Sequence, residues 1–143
     1  MNAFVVDASV AIKWVVEETG TADALKLLRS GDLMAPELIV AECANILWKK
    51  ARRNEMSAQQ ASLAADLLEH ADIEILPTRN LLSAATALAI ELDHPAYDCC
   101  YLALALDRKA RFVTADERFI RKLRQEKSER LSDTLLSLKD AAK

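Results

Sequence analysis

Four acids stand in sequence surroundings that make a charge costly. Asp7 follows the apolar run Phe4-Val5-Val6. Glu42 lies between Val40-Ala41 and Cys43-Ala44. Asp98 is enclosed by Ala96-Tyr97 and Cys99-Cys100-Tyr101-Leu102, and Asp116 follows Phe112-Val113-Thr114-Ala115. An unpaired carboxylate in apolar surroundings is expensive to bury, so each acid must find a cation, a hydrogen-bond donor or water. Phe4–Val6 has the pattern of a short buried parallel strand. The carboxyl ends of such strands are where open α/β sheets bind ligands. Asp is also a good helix N-cap, and capping is sufficient to account for Asp7 taken alone.

The spacing of the other three acids gives Asp7 company. Asp7 and Asp116 both lie just beyond strands expected to be parallel. Asp98 is near the start of the helix that precedes the Phe112 strand. That helix runs antiparallel to the strand, so its N-terminal end lies at the edge where Asp116 emerges. Glu42 is about one turn into the helix that follows Pro36, and the same logic places it there. All four acids can therefore converge. Clustered carboxylates repel one another unless divalent cations hold them, and hard oxygen donors suit Mg²⁺ or Mn²⁺. Ser9 and Thr114, each two residues from an acid, can orient a carboxylate, a water or a phosphate oxygen, with local capping the competing role. Asn45 follows Glu42 by three residues on the same helical face.

Other constellations carry less. His70 and His94 belong to no metal-ligand pattern, and Pro95 separates His94 from the helix holding Asp98, so a helix-entry or surface role is expected. No Ser-His-Asp arrangement and no Gly-rich phosphate loop is present. Trp14 and Trp48 lie in apolar helix faces and are expected to pack in the core or against another subunit, with base stacking the less favoured use. Cys43, Cys99 and Cys100 form neither a CxxC nor a zinc pattern and are expected to pack as small hydrophobes in a reducing cytoplasm. Glu17, Glu18, Asp107 and Glu117 are expected to be solvated.

The elements that must position the acids follow from the 143-residue chain, 52% hydrophobic and 29% charged, with two glycines and three prolines. This composition fits one globular domain of long helices and short connections. Strands are expected at Phe4–Val6, Ile73–Leu76 and Phe112–Thr114. The first helix is expected to run from Ser9 to Val16, and Thr21 is expected to cap a second, whose Leu25 and Leu28 face the core. Leu33–Ala35 is taken as a link, Pro36 as the first turn of a long helix to about Asn54, and Ser57–Gln60 as a capping box. Helices start at Asn80 and Pro95, and another follows Asp116. The tail from Glu126 is either helical or holds a last strand at Thr134–Leu138. No membrane-spanning run and no signal peptide is expected. The alternation of strands and helices predicts an α/β fold, a central, mostly parallel β-sheet flanked by helices. The net charge of −3 hides basic clusters at Lys49, Lys50, Arg52 and Arg53 and at Arg118, Arg121, Lys122 and Arg124.

Val5-Val6-Asp7-Ala8-Ser9, Pro36-Glu37-Leu38 with Glu42-Cys43-Ala44-Asn45, Tyr97-Asp98-Cys99-Cys100-Tyr101-Leu102-Ala103-Leu104-Ala105, and Phe112-Val113-Thr114-Ala115-Asp116 together resemble the PIN-domain family. The likeness is greatest to the toxin ribonucleases of VapBC toxin–antitoxin modules. It covers nearly the whole chain, so residues 1–143 are expected to form a single PIN-like nuclease domain. The resemblance implies a Mg²⁺- or Mn²⁺-dependent endoribonuclease with Asp7, Glu42, Asp98 and Asp116 as catalytic metal-binding acids and Ser9, Asn45 and Thr114 as supporting residues. It also implies homodimers and a cognate antitoxin that blocks the site. Lys13, Arg52, Arg53, Arg118 and Arg121 are candidates for contacts with RNA phosphates. A catalytically silent RNA- or partner-binding member of the same fold is the alternative. A phosphoacceptor domain would need an acid pair after the first strand, and an aspartyl-phosphate phosphatase Asp-x-Asp; Asp7-Ala8-Ser9 supplies neither.

Overall fold

A computed structural model describes residues 3–125 and 129–143. The expectations for Met1-Asn2 and for the start of the tail at Glu126 lie outside the described residues. Five strands form one sheet: β1 (Ala3–Val6), β2 (Asp32–Pro36), β3 (Glu74–Leu76), β4 (Arg111–Thr114) and β5 (Leu135–Ser137). Their order is β3-β2-β1-β4-β5, and every pair is parallel. The chain builds outward from β1 to β2 and β3, then returns to place β4 on the other side of β1. The crevice between β1 and β4 is thus a topological switch point, where ligands gather in this class of sheet.

Side-chain alternation explains why the strands are almost continuously apolar. Val5, Ala35, Phe112 and Leu135 point to one face, where α3 (Leu38–Arg52), α5 (Leu82–Leu92), α6 (Ala96–Arg108) and α7 (Glu117–Gln125) cover them. Phe4, Val6, Leu33 and Val113 point to the other, against Val10, Ala24, Leu27 and Leu138. A strand buried on both faces needs hydrophobes at every position. The most deeply set helix is α6, in which Cys99 and Tyr101–Ala105 are all buried. Phe112 lies between Tyr101 and Phe119, with ring centroids 5.7 and 6.0 Å away.

Several local expectations need correction. Leu33–Ala35 is no link; it is the middle of β2 and pairs with β1 through Phe4↔Leu33 and Val5↔Met34. Three apolar residues are too few to show a period, and their burial comes from the sheet. Pro36 ends β2 instead of starting α3, and Glu37 N–H donates to Leu76 O at 3.1 Å just beyond it. The first helix, α1, is only Ala8–Ala11, capped by Asp7, and a 3₁₀ turn over Ile12–Trp14 finishes it. The second helix, α2 (Thr21–Ser30), is preceded by Gly20 as N-cap. Thr21 instead uses its hydroxyl inside the bend, accepting from Glu18 N–H at 2.9 Å and donating to Val16 O at 3.1 Å. In α2 it is Ala24 and Leu27 that are buried, with Leu25 and Leu28 at the margin. Residues Arg79–Leu81 form a 3₁₀ turn before α5.

The capping box of α4 (Ala58–Glu69) is formed by Ser57 and Gln60 as the sequence predicts. The tail resolves the helix-or-strand alternative by containing α8 (Glu129–Thr134), β5 and α9 (Leu138–Ala141) in succession. Trp14 is half-buried and donates its indole N–H to Ala24 O at 2.9 Å. Trp48 is 53% exposed, which removes the core alternative and leaves packing against another subunit or base stacking. Among the described residues no helix is long and apolar enough to cross a membrane.

Gly20 has φ +94°, and a Cβ there would stand 3.3 Å from carbons of Lys13. A left-handed backbone penalises any L side chain. Gly20→Ala is therefore expected to lower stability by about 1–2 kcal/mol. The readout is urea unfolding. An unchanged midpoint would show that the bend does not constrain the fold.

Candidate active site at the β1–β4 crevice

Asp7 emerges directly from β1 and is buried at 6% exposure. Its Oδ1 accepts from Ser9 Oγ at 2.5 Å and from Val10 N–H at 3.3 Å, while its Oδ2 accepts from Thr114 Oγ1 at 2.5 Å. Each hydroxyl then accepts in turn: Ser9 Oγ takes the Ala115 N–H and Thr114 Oγ1 the Asp116 N–H, both at 3.0 Å. The cradle thus ties the end of β1 to the turn after β4. Val6 and Val113 are paired in register, so Asp7 and Thr114 are carried out of the sheet side by side. Burial pushes the Asp7 carboxyl up to about 6, against the pull of the Ser9, Thr114 and Val10 hydrogen bonds; the charge of Asp98 adds to the rise.

Glu42 projects from α3 and Asp98 from the first turn of α6. Because α3 follows β2 and α6 precedes β4, these helix N-termini lie at the carboxyl edge of the sheet. Glu42 is half-buried, and burial raises its carboxyl, with the Asp98 charge also raising it and a hydrogen bond donated by Tyr101 Oη to Oε1 lowering it. Asp98 accepts from His94 Nε2 at 2.6 Å. Its charge acts on both Asp7 and Glu42, so these three acids share one electrostatic neighbourhood.

Asp116 joins the network through its backbone N–H, while its carboxylate Oδ1 accepts from Arg118 and Phe119 N–H at 3.0 and 3.3 Å. In this arrangement it caps α7. Asn45 is exposed on α3, one turn beyond Glu42. Lys13 is held by Glu18 at 3.0 Å and by Thr19 O at 2.8 Å, whereas Arg52, Arg53, Arg118 and Arg121 are exposed.

Two residues of the site escaped the sequence reading. His94 reaches Asp98 despite Pro95, because Pro95 is the N-cap of α6, with ψ 136°, and turns the preceding residue back over the first turn. The i,i+4 spacing was the available signal. Tyr101, named in the sequence only as a neighbour of Asp98, buries its ring in the core, and its hydroxyl reaches Glu42. The cysteines are free thiols, and burial pushes Cys43 up to about 12 and Cys99 up to about 11, so neither is an activated nucleophile.

The donor set fits a hard divalent cation. It is made of carboxylate oxygens, and a bound cation would favour the charged forms of Asp7 and Glu42, which burial first and the Asp98 charge second disfavour. Among the described residues no three His, Cys, Asp or Glu side chains already stand as a chelate. Glu42 and Asp98 each direct one oxygen to a protein donor, Tyr101 and His94. Ligation by Glu42 and Asp98 therefore calls on the opposite oxygen of each, or on rotation away from that donor.

The sequence pattern of the PIN domain matches residues 4–124, a span that contains every acid of this crevice. The chain belongs to the PIN-domain family. Ribonuclease VapC3 of Pyrobaculum aerophilum is 31% identical over 121 residues, covering 82% of this chain and 92% of that protein. Among solved structures, PAE2754 of Pyrobaculum aerophilum superposes with a TM-score of 0.75 at 20% identity, over 99% of this chain and 93% of that one. VapBC2 of Rickettsia felis, solved bound to a DNA fragment from their promoter, gives 0.66 at 15% identity, over 94% and 98% of the two chains. The structural matches share the PIN fold, and the curated relative is a VapC ribonuclease.

The buried charge of Asp7 has a thermodynamic signature. An acid whose folded pKa is raised destabilises the fold above that pKa, and the fold regains stability as pH falls and the group takes its proton. In EDTA, Asp7→Asn is expected to be more stable than the wild type at pH 8 by on the order of 2 kcal/mol. That advantage should shrink below about pH 6, where the wild-type carboxyl protonates. Urea unfolding from pH 4 to 8 is the measurement, and a difference that does not vary with pH would remove burial of the charge as its cause.

Proposed function

We propose that this PIN domain is a Mg²⁺- or Mn²⁺-dependent endoribonuclease and the toxin component of a type II toxin–antitoxin module. The observation that carries the reading is Asp7: a buried carboxylate at the switch point, raised by its burial and coupled to Asp98. Burial disfavours the charged form there, and the hydrogen bonds from Ser9, Thr114 and Val10 offset only part of that cost; carboxyls raised in this way concentrate at functional sites. That consideration favours a catalytic protein over a silent one.

Asp7, Glu42 and Asp98 would hold the cation, with Asp116 completing the set from the turn after β4. Bound there, the cation supplies a lowered pKa for the attacking water and a clamp on the phosphate oxygens. Ser9 and Thr114 keep both oxygens of Asp7 in a fixed plane. Tyr101 and His94 restrain Glu42 and Asp98. Asn45 offers an amide to the substrate side of Glu42. Water attack leaves a 5′-phosphate and a 3′-hydroxyl and does not use the RNA 2′-hydroxyl. Of the candidates for phosphate contacts, Arg52, Arg53, Arg118 and Arg121 are exposed.

An antitoxin and a second copy of the chain are the protein partners of this reading. The VapBC2 neighbour supports the first. A groove of about 330 Å³ between α1, α3 and α4, lined by Trp14, Val40, Leu47 and Leu68, offers apolar surface next to Cys43. For the second, Leu82, Ile90 and Tyr97 are exposed hydrophobes on α5 and α6. Three free thiols fit action in a reducing cytoplasm.

Structured RNA incubated with the protein and Mg²⁺ or Mn²⁺ should be cut, leaving 5′-phosphate ends, and EDTA should stop the reaction. Asp98→Asn should lose more than about 100-fold in rate, as loss of a ligand exceeds the loss of a supporting contact. Cleavage that persists in EDTA, or ends carrying a cyclic phosphate, would overturn the assignment. Expression should arrest growth, and co-expression of the cognate antitoxin should restore it.

A further inference from the structure

One face of α3 carries a pattern that the acid site does not use. At 100° per residue, Glu42, Asn45, Lys49, Arg52 and Arg53 fall within a sector of roughly 100°. The core-facing residues Ile39, Cys43 and Leu47 occupy a different flank and are buried. At 1.5 Å per residue, Lys49 lies about 10 Å and Arg53 about 16 Å along the axis from Glu42. The face therefore starts at an acid of the candidate site, passes an amide and becomes basic. Asn45, Lys49, Arg52 and Arg53 are all exposed.

Two further observations set this face apart from an ordinary solvated helix. Lys49, Arg52 and Arg53 have no carboxylate partner among the described residues. Their neighbour Lys50 is instead held by Glu18 at 3.2 Å and Glu55 at 3.9 Å. Beside the basic residues stands Trp48, 53% exposed, with the Arg52 guanidinium 5.3 Å from its ring centroid. An indole and a guanidinium stacked at the surface form a flat platform on which any base can stack, next to cations that attract phosphates. Aromatic stacking with a basic groove is how proteins hold single-stranded nucleic acid without reading its sequence. An acidic polypeptide would match the cations but would leave the stacked platform without a role.

We infer that this face of α3 is the track for a single-stranded segment of RNA leading to the acid site, with Lys49 and Arg53 on phosphates and Trp48–Arg52 under a base. The inference deepens the nuclease reading and rests on it for the substrate, but its test does not require cleavage. The probe is a 5′-labelled oligouridine RNA, titrated by fluorescence anisotropy in EDTA over a range of salt. Wild-type tryptophan emission should be quenched on binding. Trp48→Ala should weaken binding by about 5- to 100-fold, the usual effect of losing one stacked base. Lys49→Gln with Arg53→Gln should make the slope of log K against log salt shallower by about 1.4, the value for two lost phosphate contacts on a single strand. All three substitutions are at the surface, and urea midpoints check that the variants fold.

Binding and salt slopes equal to wild type in both variants would overturn the track, as would failure of wild type to bind the RNA in EDTA. Binding of poly-glutamate through these residues, with none of RNA, would overturn it in favour of a protein-docking face. Wild-type cleavage in Mg²⁺ or Mn²⁺ is scored separately. Cleavage with no effect of the α3 variants on binding sinks the track and leaves the nuclease; the expected binding pattern without cleavage leaves the track and sinks the nuclease.

Discussion

Asp7 is the one acidic or basic residue in the buried interior of the described chain, and its two polar companions there are Thr21 and Thr114. Thr114 donates to it, and Ser9 donates from the other side. Each hydroxyl has one proton, and both protons point at Asp7. The hydroxyl oxygens therefore accept the N–H groups of Ala115 and Asp116. This single arrangement satisfies a buried carboxylate, joins β1 to the turn after β4 and fixes where α7 begins. Truncating any member to alanine leaves a polar group of the cradle without its partner, which is why the cradle behaves as a unit.

The sheet order makes such a cradle available. In a parallel sheet every strand ends on the same edge, and every helix that leads into a strand starts on that edge. Asp7 comes from a strand end, Asp98 from the start of α6, and Glu42 from the first turns of α3. Three remote stretches of sequence meet because the topology gives them no other edge on which to emerge. The same edge concentrates negative charge. Burial raises the carboxyls of Asp7 and Glu42, the charge of Asp98 adds to the rise, and hydrogen bonds from Ser9, Thr114 and Tyr101 partly offset it.

The sequence disclosed what depends on runs and periods, and concealed what depends on contact. Phe4-Val5-Val6 before Asp7, and Phe112-Val113-Thr114 before Asp116, announce both central strands and the acids beyond them. The box at Ser57–Gln60 is local, so it is legible. Leu33–Ala35 is legible only as apolar, because its identity as a strand comes from pairing with β1. The Tyr101–Glu42 contact spans 59 residues and joins a core ring to a site acid, and no local pattern encodes it. His94 was masked by Pro95, which interrupts a helix in sequence yet caps one in space. Trp48 has apolar neighbours in sequence, which leaves core and subunit packing open; its position beside Arg52 on an exposed face of α3 comes from the helix period. Asp116 shows the opposite limit: the capping role first weighed for Asp7 is visible at both acids.

A protein with a net charge of −3 is a poor partner for a polyanion only if the whole charge is felt at once. At physiological salt, screening limits exposed charges to about 8 Å. On α3, Lys49 and Arg53 lie about 10 and 16 Å along the axis from Glu42. A phosphate there responds to the basic residues, and only weakly to the acids. At the crevice the balance reverses, because Asp7, Glu42 and Asp98 place negative charge in one electrostatic neighbourhood. On the proposed reading, one helix would separate two electrostatic tasks by its length. Its far end would attract the RNA backbone whatever the state of the site. Its near end would admit a phosphodiester only with a cation in place, so strand capture and metal loading would be independent steps that meet at Glu42.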